Sequence, residues 1–247
     1  VQMALCSIWT FFVNDTKEVA EYLQRLLPGC KIVLFGQSWG TIVGSLAAFR
    51  YPSLFAAYIG TGQVTDVKNN FDTAFQHAKE CAARDGDTAL LKALEKDEQT
   101  AEIKFLSQSF SDAKMKYHFS TVKYQTMNEM AEAMLKAALK CPYLKLTDSL
   151  KSLAASFSLS DQYMDLVKSE EFNNYNLSNY TEEFEIPFIL LEGDHDWQTP
   201  YPMAKEYYEK VKAPYKKWDT LINCAHMVQF DNLEQVTGDL KEIREII

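Results

Sequence analysis

Lys31-Ile32-Val33-Leu34-Phe35-Gly36-Gln37-Ser38-Trp39-Gly40-Thr41 is an apolar run that stops at a glycine, turns through Gly-x-Ser-x-Gly and continues into a small-residue segment. The pentapeptide alone also fits an ordinary glycine-rich turn, so its flanks decide the reading. Lys31 to Phe35 reads as a buried parallel strand. Thr41 to Tyr51, with Ile42, Val43, Leu46 and Phe49, reads as a helix stopped by Pro52. Strand, turn and helix together make a nucleophile elbow, in which a serine at a strained turn projects Oγ at the carboxyl edge of a sheet. Both glycines are expected to be there because a β-carbon would collide with neighbouring backbone. The helix N-terminus beneath the serine favours developing negative charge.

Working outward, Asn14 to Glu18 offers a capping-box-like start for a helix whose apolar face is Val19, Tyr22, Leu23 and Leu26, ended by Pro28-Gly29. Phe55 to Gly60 fits the next parallel strand of an alternating β/α layout. From about residue 66 to 185 the periodicity turns helical, over a span too long for a loop. Helices are expected over Phe71 to Arg84, Thr88 to Glu95, Ala101 to Phe110 and Thr126 to Leu139, with further pieces around Thr147 to Ser156 and Ser160 to Glu170. Strand character returns at Ile186 to Gly193. A helix over Met203 to Val211, a last strand over Tyr215 to Leu221 and a terminal helix over Leu233 to Ile246 follow. The expected organisation is a core in two parts, residues 1–65 and 186–247, interrupted by a helical insertion over 66–185.

With 247 residues, 47% of them hydrophobic, the chain can bury a substantial core. A net charge of −9 argues against nucleic acid or an anionic membrane surface as partner. Five scattered cysteines (Cys6, Cys30, Cys81, Cys141, Cys224) form no C-x-x-C pair and suggest reduced thiols and a cytoplasmic protein. The apolar opening, Val1 to Phe12, has no basic flank and is too short to span a bilayer.

Acyl transfer by serine needs a base to take the Oγ proton and a carboxylate to hold that base, and on this layout the chain order is Ser, Asp or Glu, His. His77 and His118 fall in helical patterns and His195 in a loop, whereas His226 follows the last strand. Asp194 and Asp196 both end the strand Ile186 to Gly193. Gly-x-x-Asp is the usual ending of such a strand and selects Asp196.

Gly36-Gln37-Ser38-Trp39-Gly40, Gly60-Thr61-Gly62-Gln63-Val64, Phe184-Glu185-Ile186-Pro187 leading to Gly193-Asp194-His195-Asp196, and Ala225-His226 resemble the α/β-hydrolase prolyl aminopeptidases and their serine aminopeptidase relatives of peptidase family S33. The resemblance implies an α/β-hydrolase fold with a helical cap and a Ser38, Asp196, His226 triad. It implies no metal or cofactor, and a small peptide as substrate. Carboxylic-ester hydrolysis on the same triad, or a silent binding fragment of such a fold, are the alternatives. Acidic cap residues bind the substrate amine in that family, and Glu170, Glu171, Glu182 and Glu183 are candidates here. The resemblance starts at the helix before the elbow strand. Val1 to Thr16 does not match the family's upstream His-Gly-Gly-Pro-Gly loop, so Trp39 N–H is the only oxyanion donor carried over. An elbow strand without an upstream neighbour is expected to self-associate through its edge and to leave activity low.

Overall fold

The computed structural model describes residues 8–101, 104–143, 145, 147–148, 151 and 160–246. Its sheet has four parallel strands in the order β1 (Val33–Gln37), β2 (Ala57–Thr61), β3 (Phe188–Gly193) and β4 (Lys216–Leu221). Parallel neighbours need crossovers. Helix α2 (Trp39–Arg50) links β1 to β2, and α9 (Tyr201–Lys210) links β3 to β4. Between β2 and β3 lie α3 (Val67–Arg84), α4 (Thr88–Thr100), α5 (Gln108–Lys116), α6 (Met127–Lys140), α7 (Ser160–Lys168) and the one-turn α8 (Glu170–Asn173). After β4 come α10 (Val228–Asp231) and α11 (Leu233–Ile246).

Strand periodicity sorts the core into two layers. Tyr58, Phe188 and Leu190 point to one face, packed with Trp9, Val13, Ile42 and Leu46 from α1 (Ile8–Leu26) and α2. Ala57, Ile59, Ile189 and Leu191 point to the other, against Val228, Val236 and Ile243. Parallel strands covered on both faces must be apolar throughout, and every residue of β2 and β3 is buried. The helices after β2 close a core of their own around Phe75, Leu94, Phe110 and Phe119.

Several boundaries differ from the sequence reading. Helix α1 starts at Ile8, so Asp15 and Glu18 lie within it and cap nothing. Trp9 and Val13 extend the same buried stripe as Ala20, and this packing overrides the local cap signal. The elbow strand begins two residues later than expected and continues through Gly36 and Gln37, because these pair with Gly60 and Thr61 of β2. The helix expected over Ala101 to Phe110 is instead a 3-10 turn, Lys104–Leu106, followed by α5. Ser107 divides them: its side chain accepts the Phe110 N–H at 3.3 Å and caps the new helix. His118 lies beyond α5 with φ 58°, not in a helix. Most of the helix expected over Thr147 to Ser156 lies outside the described residues.

No helix among the described residues is long and apolar enough to cross a membrane. The two edges of the sheet differ. β4 carries Lys216, Lys217 and Asp219, charges that discourage further pairing. β1 carries none; its Phe35 is 49% exposed, beside an open apolar trough of about 580 Å³ between α1 and β1. Light scattering at micromolar concentration is expected to detect self-association that Phe35→Lys reduces. A wild-type chain that stays monomeric would remove this expectation.

Candidate functional site

The carboxyl ends of β1, β2 and β3 and the loop after β4 converge on one locus. Ser38 stands between β1 and α2 with φ 53° and ψ −123°, a conformation that L-residues avoid and that a sharp strand-to-helix turn imposes. A β-carbon at Gly36 would sit 2.8 Å from the Gly40 carbonyl oxygen, so only glycine fits. At Gly40 a β-carbon would meet nothing within 4 Å. The steric reason expected for both glycines therefore holds for the first alone. Trp39 opens α2, and its N–H is among the first-turn donors that no helical carbonyl can reach. Its ring is held edge-on by Phe12 of α1, with centroids 4.9 Å apart.

Asp196 and His226 meet in the interior: Nδ1 of His226 lies 2.9 Å from Oδ2 of Asp196, with both side chains essentially inaccessible. Asp196 is completely bonded. Oδ1 accepts the backbone N–H groups of Gln198 and Thr199 at 2.9 and 2.8 Å, and Oδ2 accepts the Thr199 hydroxyl at 2.8 Å as well as the imidazole. These four bonds use its four lone-pair sites. With Nδ1 donating to Asp196, Nε2 is the ring nitrogen left to accept a proton.

Asp194 has a different task. Its Oδ1 accepts the Cys224 N–H at 3.3 Å and lies 3.9 Å from His195, which is exposed. Of the two carboxylates weighed in the sequence, Asp196 is the one that reaches His226. Trp197, next in the chain, stacks on His77 of α3 at 3.5 Å and 10° and ties the loop down. Burial lowers the pKa of His77. Among the described residues Ser38 Oγ makes no hydrogen bond to His226. Such contacts are often long in ligand-free sites and tighten when substrate binds.

Two glycines seat the imidazole. A β-carbon on Gly193 would lie 2.4 Å from the Cys224 carbonyl oxygen and 2.5 Å from that of Ala225. Its absence lets the chain before His226 cross the end of β3. Gly62, at φ 58°, lies so close beneath the ring that a β-carbon would be 2.7 Å from Cε1 and 2.8 Å from Nδ1. The Gly62 turn is held by Glu192, whose Oε2 accepts the Gly62 N–H at 2.9 Å and whose Oε1 accepts the Gln63 N–H at 3.0 Å. The Thr41 hydroxyl accepts the next N–H, that of Val64, at 3.0 Å.

Sequence reasoning passed over Glu192 and Thr199. A lone glutamate directly after the apolar run Phe188 to Leu191 and within the same buried strand was the available signal, because a buried carboxylate needs partners. Burial, with the charge of Asp196 as a further cause, pushes the Glu192 carboxyl well above the usual range, against the pull of its two N–H donors. The folded chain therefore keeps this proton at pH values where the unfolded carboxyl, near about 4.3, has lost it. The resulting stability is complete below the unfolded pKa and is lost as pH rises through the raised one. Glu192→Gln turns an amide N–H₂ toward one backbone donor, at a cost of about 1–3 kcal/mol. Because Gln does not titrate, the stability gap between wild type and variant should narrow with rising pH in urea unfolding. A gap that widens would contradict the raised pKa.

Ser38, Gln198 and Thr199 border a cavity of about 220 Å³, whose other described walls come largely from the helices between β2 and β3. None of the four glutamates named for amine binding is among its lining residues. Glu171 accepts the Ile8 N–H at 2.9 Å, and Glu183 pairs with Lys212 at 2.6 Å in solvent.

This parallel sheet with its strand-end serine and buried Asp-His pair has the form of an alpha/beta hydrolase. The chain belongs to the alpha/beta hydrolase fold family, whose model matches residues 10–233. It is similar to the probable aminopeptidase YbaC of Bacillus subtilis (strain 168), at 23% identity over 225 residues, 87% of this chain and 65% of that protein. The chain thus spans just under two thirds of that relative's length. Among solved structures, the proline iminopeptidase of Mycobacterium smegmatis aligns with a TM-score of 0.67 at 14% identity, over 95% of this chain and 70% of that one. A thermophilic esterase aligns with a TM-score of 0.55 at 13% identity, over 99% and 75%. At such identities the structural likeness speaks for the fold.

Proposed function

We propose that the chain carries a serine hydrolase site of aminopeptidase type that cleaves small peptides through an acyl-enzyme. The observation that carries this reading is the buried Asp196–His226 pair at 2.9 Å beside the strained Ser38 turn. In the proposed reaction Ser38 Oγ attacks the scissile carbonyl carbon and passes its proton to Nε2 of His226. Asp196 keeps Nδ1 protonated and stabilises the imidazolium. The oxyanion accepts the Trp39 N–H at the start of α2, where the helix dipole adds to the hydrogen bond. The imidazolium then protonates the leaving amine. Water, deprotonated by the same nitrogen, releases the acid and regenerates Ser38.

The helices between β2 and β3 act in this reading as a cap. Support comes from Phe71, Phe110, Tyr163 and Phe172, which line the same cavity as Ser38. The name of the Bacillus subtilis relative favours peptide substrates, and the esterase neighbour keeps ester hydrolysis as the second reading. A fluorophosphonate probe tests the common mechanism. It should label the wild-type chain covalently and fail to label Ser38→Ala or His226→Ala. A well-folded wild-type chain that resists labelling would favour the silent alternative. Turnover of an N-terminal-prolyl amide against short acyl esters separates peptidase from esterase.

A further inference from the structure

The cavity beside Ser38 is walled by Ile42, Phe71, Phe110 and Phe172, and among its described lining residues none is Asp or Glu. Among those described lining residues the one cation is Lys114 of α5. Three lysines of the same region meet carboxylates, Lys79 with Glu98, Lys104 with Asp72 and Lys116 with Asp87, all within 2.9 Å. Lys114 has no ion pair among the described residues. Its neighbour is the Phe110 ring, 5.1 Å from Nζ, which offers electrostatic attraction but no lone pair to accept a hydrogen bond. Burial lowers its pKa, with no carboxylate to oppose the shift. Asn70 borders the same cavity, is 2% exposed, and has a side-chain oxygen without a partner among the described residues. Since the two ends of an amide can exchange places, Asn70 can also present N–H donors to the cavity.

A half-buried ammonium without an acceptor and a buried amide without a partner are both costly to leave unmet. With the Asn70 amide turned so that its NH₂ takes the place of its unpartnered oxygen, a carboxylate would accept from both groups at once. A free substrate amine, by contrast, would be repelled by Lys114 and has to lie away from this lysine. We infer that the substrate group filling this cavity is an apolar segment tipped by a carboxylate, paired with Lys114 and hydrogen-bonded to Asn70. This inference rests on the serine hydrolase reading for its chemistry and narrows the substrate from any small peptide or ester to one with an acidic end. The chain's net charge of −9 does not prevent it, because exposed charges beyond about 8 Å are largely screened at physiological salt.

Binding and turnover together test the inference. In calorimetry, pentanoate should bind the wild-type chain at least about tenfold more tightly than the isosteric neutral pentanamide, as a charge-assisted contact implies. Lys114→Met should bring the two to near equality, and Lys114→Glu should favour pentylammonium instead. Equal binding of acid and amide by the wild type, or a preference for acid that survives in Lys114→Met, would overturn the inference. This readout does not depend on Ser38. In the second arm, kcat/KM for the 4-nitrophenyl monoester of glutaric acid is divided by that for 4-nitrophenyl butyrate. The ratio should fall toward one in Lys114→Met. Labelling by fluorophosphonate without acid selectivity sinks this inference alone. Acid-selective binding without labelling sinks the hydrolase reading and leaves the anion site standing.

Discussion

Asp196→Asn should lower turnover of an acyl ester by about 10,000-fold while leaving the fold intact. The hydrogen bonds dictate how the new amide must lie. Oδ1 of Asp196 accepts two backbone N–H groups, from Gln198 and Thr199, and an asparagine keeps them only by placing its oxygen there. Its NH₂ then replaces Oδ2, the atom that accepts Nδ1–H of His226. The imidazole answers by moving its proton to Nε2, where it can no longer serve as base toward Ser38. Thr199, whose hydroxyl rotates, can accept from the amide, so the stability cost stays small. Asp194→Asn is the control, since Asp194 holds the Cys224 N–H at 3.3 Å and contacts neither Ser38 nor His226. Turnover should change only several-fold there. Equal losses at the two positions, or a larger loss at Asp194, would overturn the assignment. Circular dichroism of both variants checks that the fold is retained.

The parts of this site that were legible in the sequence are those built from local pattern. Gly36 to Gly40 announces a turn whose steric demand is met within five residues, and the runs Phe55 to Gly60 and Ile186 to Gly193 announce strands covered on both faces. Asp196 was readable because it follows such a strand and His226 because it follows the last strand of the chain, even though 30 residues separate them. What was illegible depends on crossings between distant segments. Glu192 holds Gly62 across 130 positions, a bond that no periodicity encodes. Gly193 looks like any strand terminator until the Cys224 to His226 loop is laid against it. The same holds for Lys114. Its place in α5 reads as one more surface lysine, and only the packing of α5 over the end of the sheet turns it toward the cavity. In the other direction, Asp15 and Glu18 advertised a helix start that the buried stripe of Trp9 and Val13 overrode.

Gly62→Ala should cost turnover about 100-fold through geometry alone. The added methyl would lie 2.7 Å from Cε1 and 2.8 Å from Nδ1 of His226, and 3.2 Å from the Thr199 hydroxyl. Ordinary carbon contacts begin near 3.5 Å, so ring and turn must part by about 0.8 Å. Neither can yield cheaply. The turn is fixed by the two N–H bonds to Glu192, and the ring by Asp196, so the strain falls on the His226–Asp196 pair or on the reach from Nε2 to Ser38. A misplacement of about 1 Å at a reacting group is worth about 100-fold in rate. The alanine must also adopt φ near 58°, which costs about 1–2 kcal/mol by itself. Gly86→Ala separates the two effects. Gly86 has φ 69° but open space around its α-carbon, so its alanine variant should lose comparable stability in urea unfolding while keeping its turnover. If Gly62→Ala and Gly86→Ala lose stability alike and turn over substrate alike, the turn at Gly62 does not position His226, and the contact beneath the ring is only packing.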